Sequence, residues 1–206
     1  IHAQRRWAML DVQFGPGGAR PGADANDGSA MPMVGGGGYR AAAEAYETLF
    51  PMRYERIGFA PDTAGPGQWR GGAGVSAEIR LLEDCTLTLR AVDRTQLPPA
   101  GIAGGGPGRG GGFFVSPGTA DERRLPDKST NHVVPSGTLL RLSVAGGGGW
   151  GDPLARDPAA VAGDVRKGLV SREGALDDYG VVLDHEGEPD PSATTEARRA
   201  AQGGRA

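Results

Sequence analysis

The sequence has a single cysteine, Cys85, among 206 residues. That excludes an internal disulfide framework and fits a reducing, cytoplasmic compartment. The three histidines, His2, His132 and His185, lie far apart, none has a ligand-spaced partner, and no C-x-x-C occurs. A self-contained zinc site is therefore not expected. No apolar run is long enough to span a bilayer. The opening IHAQRRWAML lacks the apolar region of a secretory signal. Net charge is −3 and no basic patch stands out, so neither nucleic acid nor a membrane is implied. There is no G-x-S-x-G elbow and no G-x-x-x-x-G-K loop. Aromatic residues make up only 6% of the chain.

Glycine and proline are abundant instead, at 37 and 16 residues. Such a chain loses much backbone entropy on folding and has few large side chains with which to offset it. A stabilising partner surface is expected.

Periodicity places the regular elements. Residues 39–50, YRAAAEAYETLF, read as a helix stopped by Pro51, and residues 52–60 as a strand. In residues 75–81, Val75, Ala77, Ile79 and Leu81 share one face. In residues 85–91, Cys85, Leu87, Leu89 and Ala91 do the same, with Glu83-Asp84 between, which reads as a hairpin. Residues 93–112 form a long glycine-proline loop, of a kind that is functional, partner-bound or disordered. Residues 113–116 and 139–145 are further strands. Asp157 with Pro158 opens a helix that stops at Gly168, and Ser171 caps a second through Tyr179. Residues 181–183 read as a short strand, and the polar tail from Asp184 as disordered or peripheral. The fold class is α+β, mainly β: antiparallel strands and glycine-rich loops with C-terminal helices. The organisation is a loop-rich segment with a helix (1–51), a β-rich body (52–151), a helical segment (152–183) and the tail (184–206).

The search for chemistry centres on the glycines. Gly146, Gly148 and Gly151 satisfy G-x-G-x-x-G after a strand. In a dinucleotide fingerprint, however, the helix opens inside the glycine loop. Here Asp152-Pro153 intervenes, so a tight crossing beside packed backbone is the better reading. Cys85 falls on an apolar strand face, as a core thiol does. Asp93 and Arg94 follow a strand end, where either a binding pair or a structural ion pair is expected. Lys128, in LPDKSTN, orients a carboxylate or phosphate, or is a surface lysine.

Several strings in order, GGARPGADANDG, YETLFPMRYERIGFAPDTAGPGQWRGGAGV, LLEDCTLTLRAVDRTQLPPAGIAGGGPG, LPDKSTN and GGGGWGDPLARDPAAVAGDVRKGLVSREGALDDYGVVL, resemble the C-terminal portion of the hydantoinase B/oxoprolinase family. The resemblance runs from Phe14 to Leu183 and covers about the last third of a typical member, so the chain reads as a fragment or a split subunit. It implies an ATP-binding hydantoinase A-like partner carrying ATP with Mg, and an upstream B-type chain if the component is split. It also implies ATP-dependent opening of a small cyclic amide: a hydantoin, 5-oxoproline or a lactam. Related complexes carboxylate ketones, and a non-catalytic assembly role is a third possibility. Any divalent metal belongs to the upstream region. MPMVGGGGYRAAA replaces a segment that is Asn/Thr-rich in many relatives, which removes amide side chains suited to a polar substrate. Within this resemblance, the candidate substrate contacts are Asp93, Arg94, Lys128 and the backbone of Gly146, Gly147, Gly148 and Gly149, near the subunit junction.

Overall fold

β2 (Val75–Leu81) is the strand around which the larger sheet assembles. Ala77, Ile79 and Leu81 are buried on one face, and both edges of β2 are taken. One edge pairs antiparallel with β1 (Met52–Phe59), the other with β7 (Leu139–Ser143). β4 (Gly112–Val115) and β5 (Arg123–Leu125) complete a five-stranded sheet in the order β1-β2-β7-β4-β5, antiparallel throughout. β3 (Cys85–Arg90) and β6 (Lys128–Val134) form a separate two-stranded sheet. The computed structural model describes residues 6–11, 15–28, 41–90 and 96–204.

The expected hairpin between residues 75–81 and 85–91 does not form. β2 has no free edge for β3, so the chain turns at residues 82–84 and changes sheets. The turn is fixed by Leu82 N–H donating to the Pro51 carbonyl (2.9 Å) and by Asp84 Oδ1 accepting from Ser136 N–H (2.7 Å). Between the sheets lies the main apolar core: Leu81, Leu140, Val115 and Leu125 from the larger sheet meet Leu89 and Val134 from the smaller. Cys85 packs against this cluster, and burial pushes its thiol pKa up.

Residues 128–134 are a strand although their sequence shows no clean alternation. A bulge interrupts the register there, and Asn131 adopts φ 61°. Asparagine tolerates this left-handed region better than most residues. The extra residue places Ser129 and His132 together, and their Oγ and Nε2 atoms lie 2.6 Å apart.

α1 (Ala43–Leu49) begins later than the sequence pattern suggests; residues 39 and 40 lie outside the described residues. α2 (Pro158–Arg166) starts as expected, with Asp157 accepting from Ala159 N–H and Pro158 at the first position, and Gly168 follows at φ 69°. α3 (Arg172–Tyr179) is capped by Ser171 and ends at Gly180 in the left-handed region. Leu183 makes a single bridge to Pro189 rather than a strand. The tail is also not disordered: α4 (Pro191–Gly203) is capped by Asp190, which accepts from Ser192 and Ala193 N–H. It docks through polar groups. Thr194 Oγ1 accepts from Val182 N–H at 3.1 Å, and Arg198 donates to the carbonyls of Tyr179 and Arg156 at 3.1 and 2.7 Å. Ala193, Ala197 and Ala201 recur at i, i+4 and i+8 on the half-buried side, a stripe of small residues rather than large ones. No described helix is long and apolar enough to cross a membrane.

Candidate functional site: a glycine crossing closed by buried ion pairs

Beyond β7 the chain enters residues 146–149, and other backbone surrounds them. A β-carbon on Gly146 would lie 2.0 Å from the Thr63 carbonyl oxygen, on Gly147 1.9 Å from that of Gly17, on Gly148 2.0 Å from that of Ala100, and on Gly149 2.1 Å from that of Pro66. The contacts are reciprocal, because Gly71 and Gly108 have no room for a β-carbon against Gly147 and Gly146. Only glycine permits backbone to approach backbone this closely, as at the axis of a collagen helix. The polar groups are paired in several directions. Gly146 N–H donates to Arg109, Gly147 to Gly72 and Gly149 to Gly106 (3.1, 2.9 and 2.9 Å). The carbonyls of Gly147, Gly148 and Gly149 accept from Gly65, Ala19 and Ile102 (2.7, 2.9 and 2.9 Å). Trp69 and Trp150 exchange backbone hydrogen bonds next door.

This geometry decides the G-x-G-x-x-G question. A phosphate cradle needs backbone N–H groups aimed at open space. Those of Gly146, Gly147 and Gly149 are bonded to protein carbonyls, and the next helical turn begins only at Pro153. The residues present do not fit a nucleotide phosphate, and no chemistry of ATP is assigned to this crossing.

Beside the crossing is a charge network. Arg70, Arg156 and Asp164 are 3%, 3% and 4% exposed. Arg156 binds Asp24 through two nitrogens, each at 2.7 Å, and Asp164 at 2.8 Å. Arg70 binds Asp27 at 2.7 Å, and its Nε lies 3.3 Å from Asp164. Asp24 also accepts from Arg70 N–H, and Asp27 from Ala73 N–H. Burial works to raise the Asp24 pKa, but its bonds to Arg156 and Arg70 outweigh burial and hold it below the usual carboxylate range. Burial likewise works to lower that of Arg156, and its carboxylate partners reverse the sign. Tyr179, 1% exposed and beneath Arg156, has its phenol pKa pushed up chiefly by burial. Arg109 joins α3 through Asp178, with a nitrogen–oxygen distance of 2.8 Å. The network therefore ties the segment at residues 24–27 to the loop at residues 68–73 and to the C-terminal helices.

The sequence-predicted candidates do not converge. Asp93 and Arg94 lie outside the described residues. Lys128 opens β6 on the smaller sheet, in register with Arg90, while Gly146, Gly147, Gly148 and Gly149 lie in the crossing. Asp24, Asp27, Arg70, Arg156 and Asp164 are not among those candidates. The available signal is their membership in the strings GADANDG, QWRGG and DPLARDPAAVAGD. Among the described residues no group of three or more His, Cys, Asp or Glu side chains is placed to hold a metal ion.

Fold and crossing together define a two-sheet module whose glycine-rich segments are locked by buried ions. The sequence profile of hydantoinase B/oxoprolinase matches residues 1–153, and the chain belongs to that family. A Pseudomonas protein whose name makes it the B-type component of a D-/L-hydantoinase is 31% identical over 194 residues, 94% of this chain and 32% of the relative. The beta chain of the Pseudomonas jessenii caprolactamase is 36% identical over 168 residues, 77% of this chain and 28% of the relative. A crystal structure of the ATP-dependent caprolactamase from that organism superposes with a TM-score of 0.74 at 28% identity, covering 91% of this chain and 33% of that one. Nucleotide-free acetone carboxylase shares the fold, with a TM-score of 0.79 at 23% identity over 94% of this chain and 30% of that one. The chain thus spans about a third of the length of these relatives.

Proposed function

We propose that this chain is the C-terminal part, or a split subunit, of the B-type component of an ATP-dependent cyclic-amide hydrolase. It would open a hydantoin, 5-oxoproline or lactam ring together with an ATP-binding A-type subunit. The observation that carries this reading is the kinship with the beta chain of a caprolactamase over 77% of the chain. The crossing itself offers no phosphate cradle, because the N–H groups of Gly146, Gly147 and Gly149 are bonded to protein carbonyls. ATP with Mg is assigned to the A-type subunit, and any divalent metal to the upstream B-type region. Asp93, Arg94, Lys128 and the glycines at 146–149 are proposed to shape the substrate side of the subunit junction.

The test is reconstitution of the chain with its A-type and upstream B-type partners, after native mass spectrometry has identified them. ADP release coupled to ring opening of hydantoin, 5-oxoproline or caprolactam is expected, and Lys128→Ala should lower turnover without dissociating the assembly. ADP release coupled instead to acetone and bicarbonate would move the protein to the carboxylases. An assembly that turns over neither class would leave it a structural component.

A further inference from the structure

Beside the crossing, three chain segments meet edge to edge and bring three large apolar side chains into one row. Trp69 and Trp150 form an antiparallel bridge and exchange both backbone hydrogen bonds, at 3.0 and 2.9 Å. Ile102 bridges Trp150 in parallel: its N–H donates to the Gly149 carbonyl at 2.9 Å, and its carbonyl accepts from Gly151 N–H at 3.0 Å. Residues opposed in a bridge share one face, so Trp69, Trp150 and Ile102 stand side by side. Both tryptophans are half-buried, and Ile102 is 65% exposed. The backbone under the row is fixed. Arg156 donates to the Gln68 carbonyl at 3.1 Å, which ties the Trp69 segment to the buried network. Ile102 also opens a tight turn, closed by Gly105 N–H donating to its carbonyl at 3.0 Å, with Ala103 at φ 54° and Gly104 at φ 92°. Two positive φ values define a turn that favours glycine or asparagine at its first central position, and alanine there meets a steric cost. The outward position of Ile102 is thus set by clamped backbone rather than by side-chain packing. Among the described residues neither indole N–H of the row donates a hydrogen bond.

We infer that this row docks a companion protein chain, one that presents an apolar recess with acceptor oxygens at its edge. The inference rests on the assembly reading above. A small molecule is held in a concave site, whereas Ile102 stands out from the surface. Nucleic acid or an anionic lipid surface would need free cations. Residues 66–71, 100–105 and 148–153 carry only Arg70, which is buried and paired with Asp27 and Asp164. A protein recess answers each feature. Tryptophan offers a large rigid apolar area with an N–H at its edge, and oxygens at the rim of the recess accept from it. Because the crossing already fixes the backbone of the row, association has little left to order there.

The test is calorimetric titration of the 206-residue chain with its A-type and upstream B-type companions, once these are identified. Ile102→Asp is expected to weaken association by about tenfold or more, the scale of an interface hot spot, and Ile102→Val to stay close to wild type. Leu176→Asp, at an apolar residue of α3 that is 47% exposed, is expected to change nothing. These variants alter solvent-facing groups, and an unchanged circular dichroism melt certifies their folding. A second readout uses a Trp7→Phe background, in which only Trp69 and Trp150 emit. Their emission should move to shorter wavelength on association and become less accessible to acrylamide. Association of Ile102→Asp with wild-type affinity, an equal loss from Leu176→Asp, or unchanged quenching would overturn this inference alone. A wild-type chain that binds no companion would overturn the assembly reading with it.

Discussion

Between the two sheets, Leu89 and Val134 meet Leu140 and Val115, and the contact is made by side chains of ordinary volume. Around residues 146–149 there are no side chains to meet, and carbonyl oxygens occupy the β-carbon positions. The first region is stabilised by apolar area removed from water, at roughly 25 cal/mol per Å². The second is held by backbone hydrogen bonds and by the buried network of Arg70, Arg156, Asp164, Asp24 and Asp27. The difference lies in tolerance. A side-chain core relaxes partly around a smaller residue, whereas a backbone crossing has no rotamer to move. Mutations should therefore give a graded response in one region and an all-or-none response in the other.

The largest effect belongs to the crossing. Gly147→Ala places a methyl group against the Gly17 carbonyl, and something in the backbone must move. A loss above about 4 kcal/mol, or failure to fold, is expected. Urea unfolding of the purified variant checks it, and a shift under about 1 kcal/mol would show that the segments can separate at little cost.

Next comes the network. Arg156→Met removes the guanidinium shared by Asp24 and Asp164, leaves the 4% exposed Asp164 with Arg70 Nε alone at 3.3 Å, and should destabilise by about 3–5 kcal/mol. Adding Asp164→Leu should recover part of that loss, because the under-compensated buried charge is then gone while Arg70 keeps Asp27. The pH dependence follows from Asp24, whose folded pKa is depressed. Its contribution is fully present above the unfolded carboxylate value of about 3.9 and is lost as pH falls through the lower folded value. Wild type and Arg156→Met should therefore converge in stability as the solution is acidified below about pH 4. A gap that widens in acid would contradict the ion-pair account.

The side-chain core comes third. Leu140→Ala removes a residue that is 6% exposed at the centre of the two-sheet cluster, and should cost about 2–4 kcal/mol while the chain still folds. Leu140→Met should cost less than about 1.5 kcal/mol. If the conservative swap proved as damaging as the truncation, the two regions would differ less than their contacts indicate.

The same contrast explains what could be read from the sequence. β2, β3 and β7 follow from alternation, and the starts of α2 and α3 follow from Asp157-Pro158 and Ser171, because each signal lies within a few residues. The partner of β2 was not legible. Pairing is non-local, and a strand occupied on both edges has the same alternation as one in a hairpin. β6 was hidden by its own bulge at Asn131, and α4 by docking through Thr194 and Arg198. The crossing was legible as close-packed backbone from its glycines and from the late helix start. The ion network was not, because Arg156 and Asp24 are 132 positions apart and no spacing rule connects them.

The smallest effect uses glycine against itself. Gly58 lies in β1 with open space where a β-carbon would sit, and its φ is not among the positive ones. Gly58→Ala should therefore stabilise the fold by about 0.4–1 kcal/mol, by restricting the unfolded chain. Thermal unfolding of the purified variant checks it, and a higher melting temperature is expected. A loss of stability comparable to that of Gly147→Ala would mean that glycine matters to this chain through its backbone freedom everywhere. The predicted gain would confine the requirement to positions where backbone meets backbone.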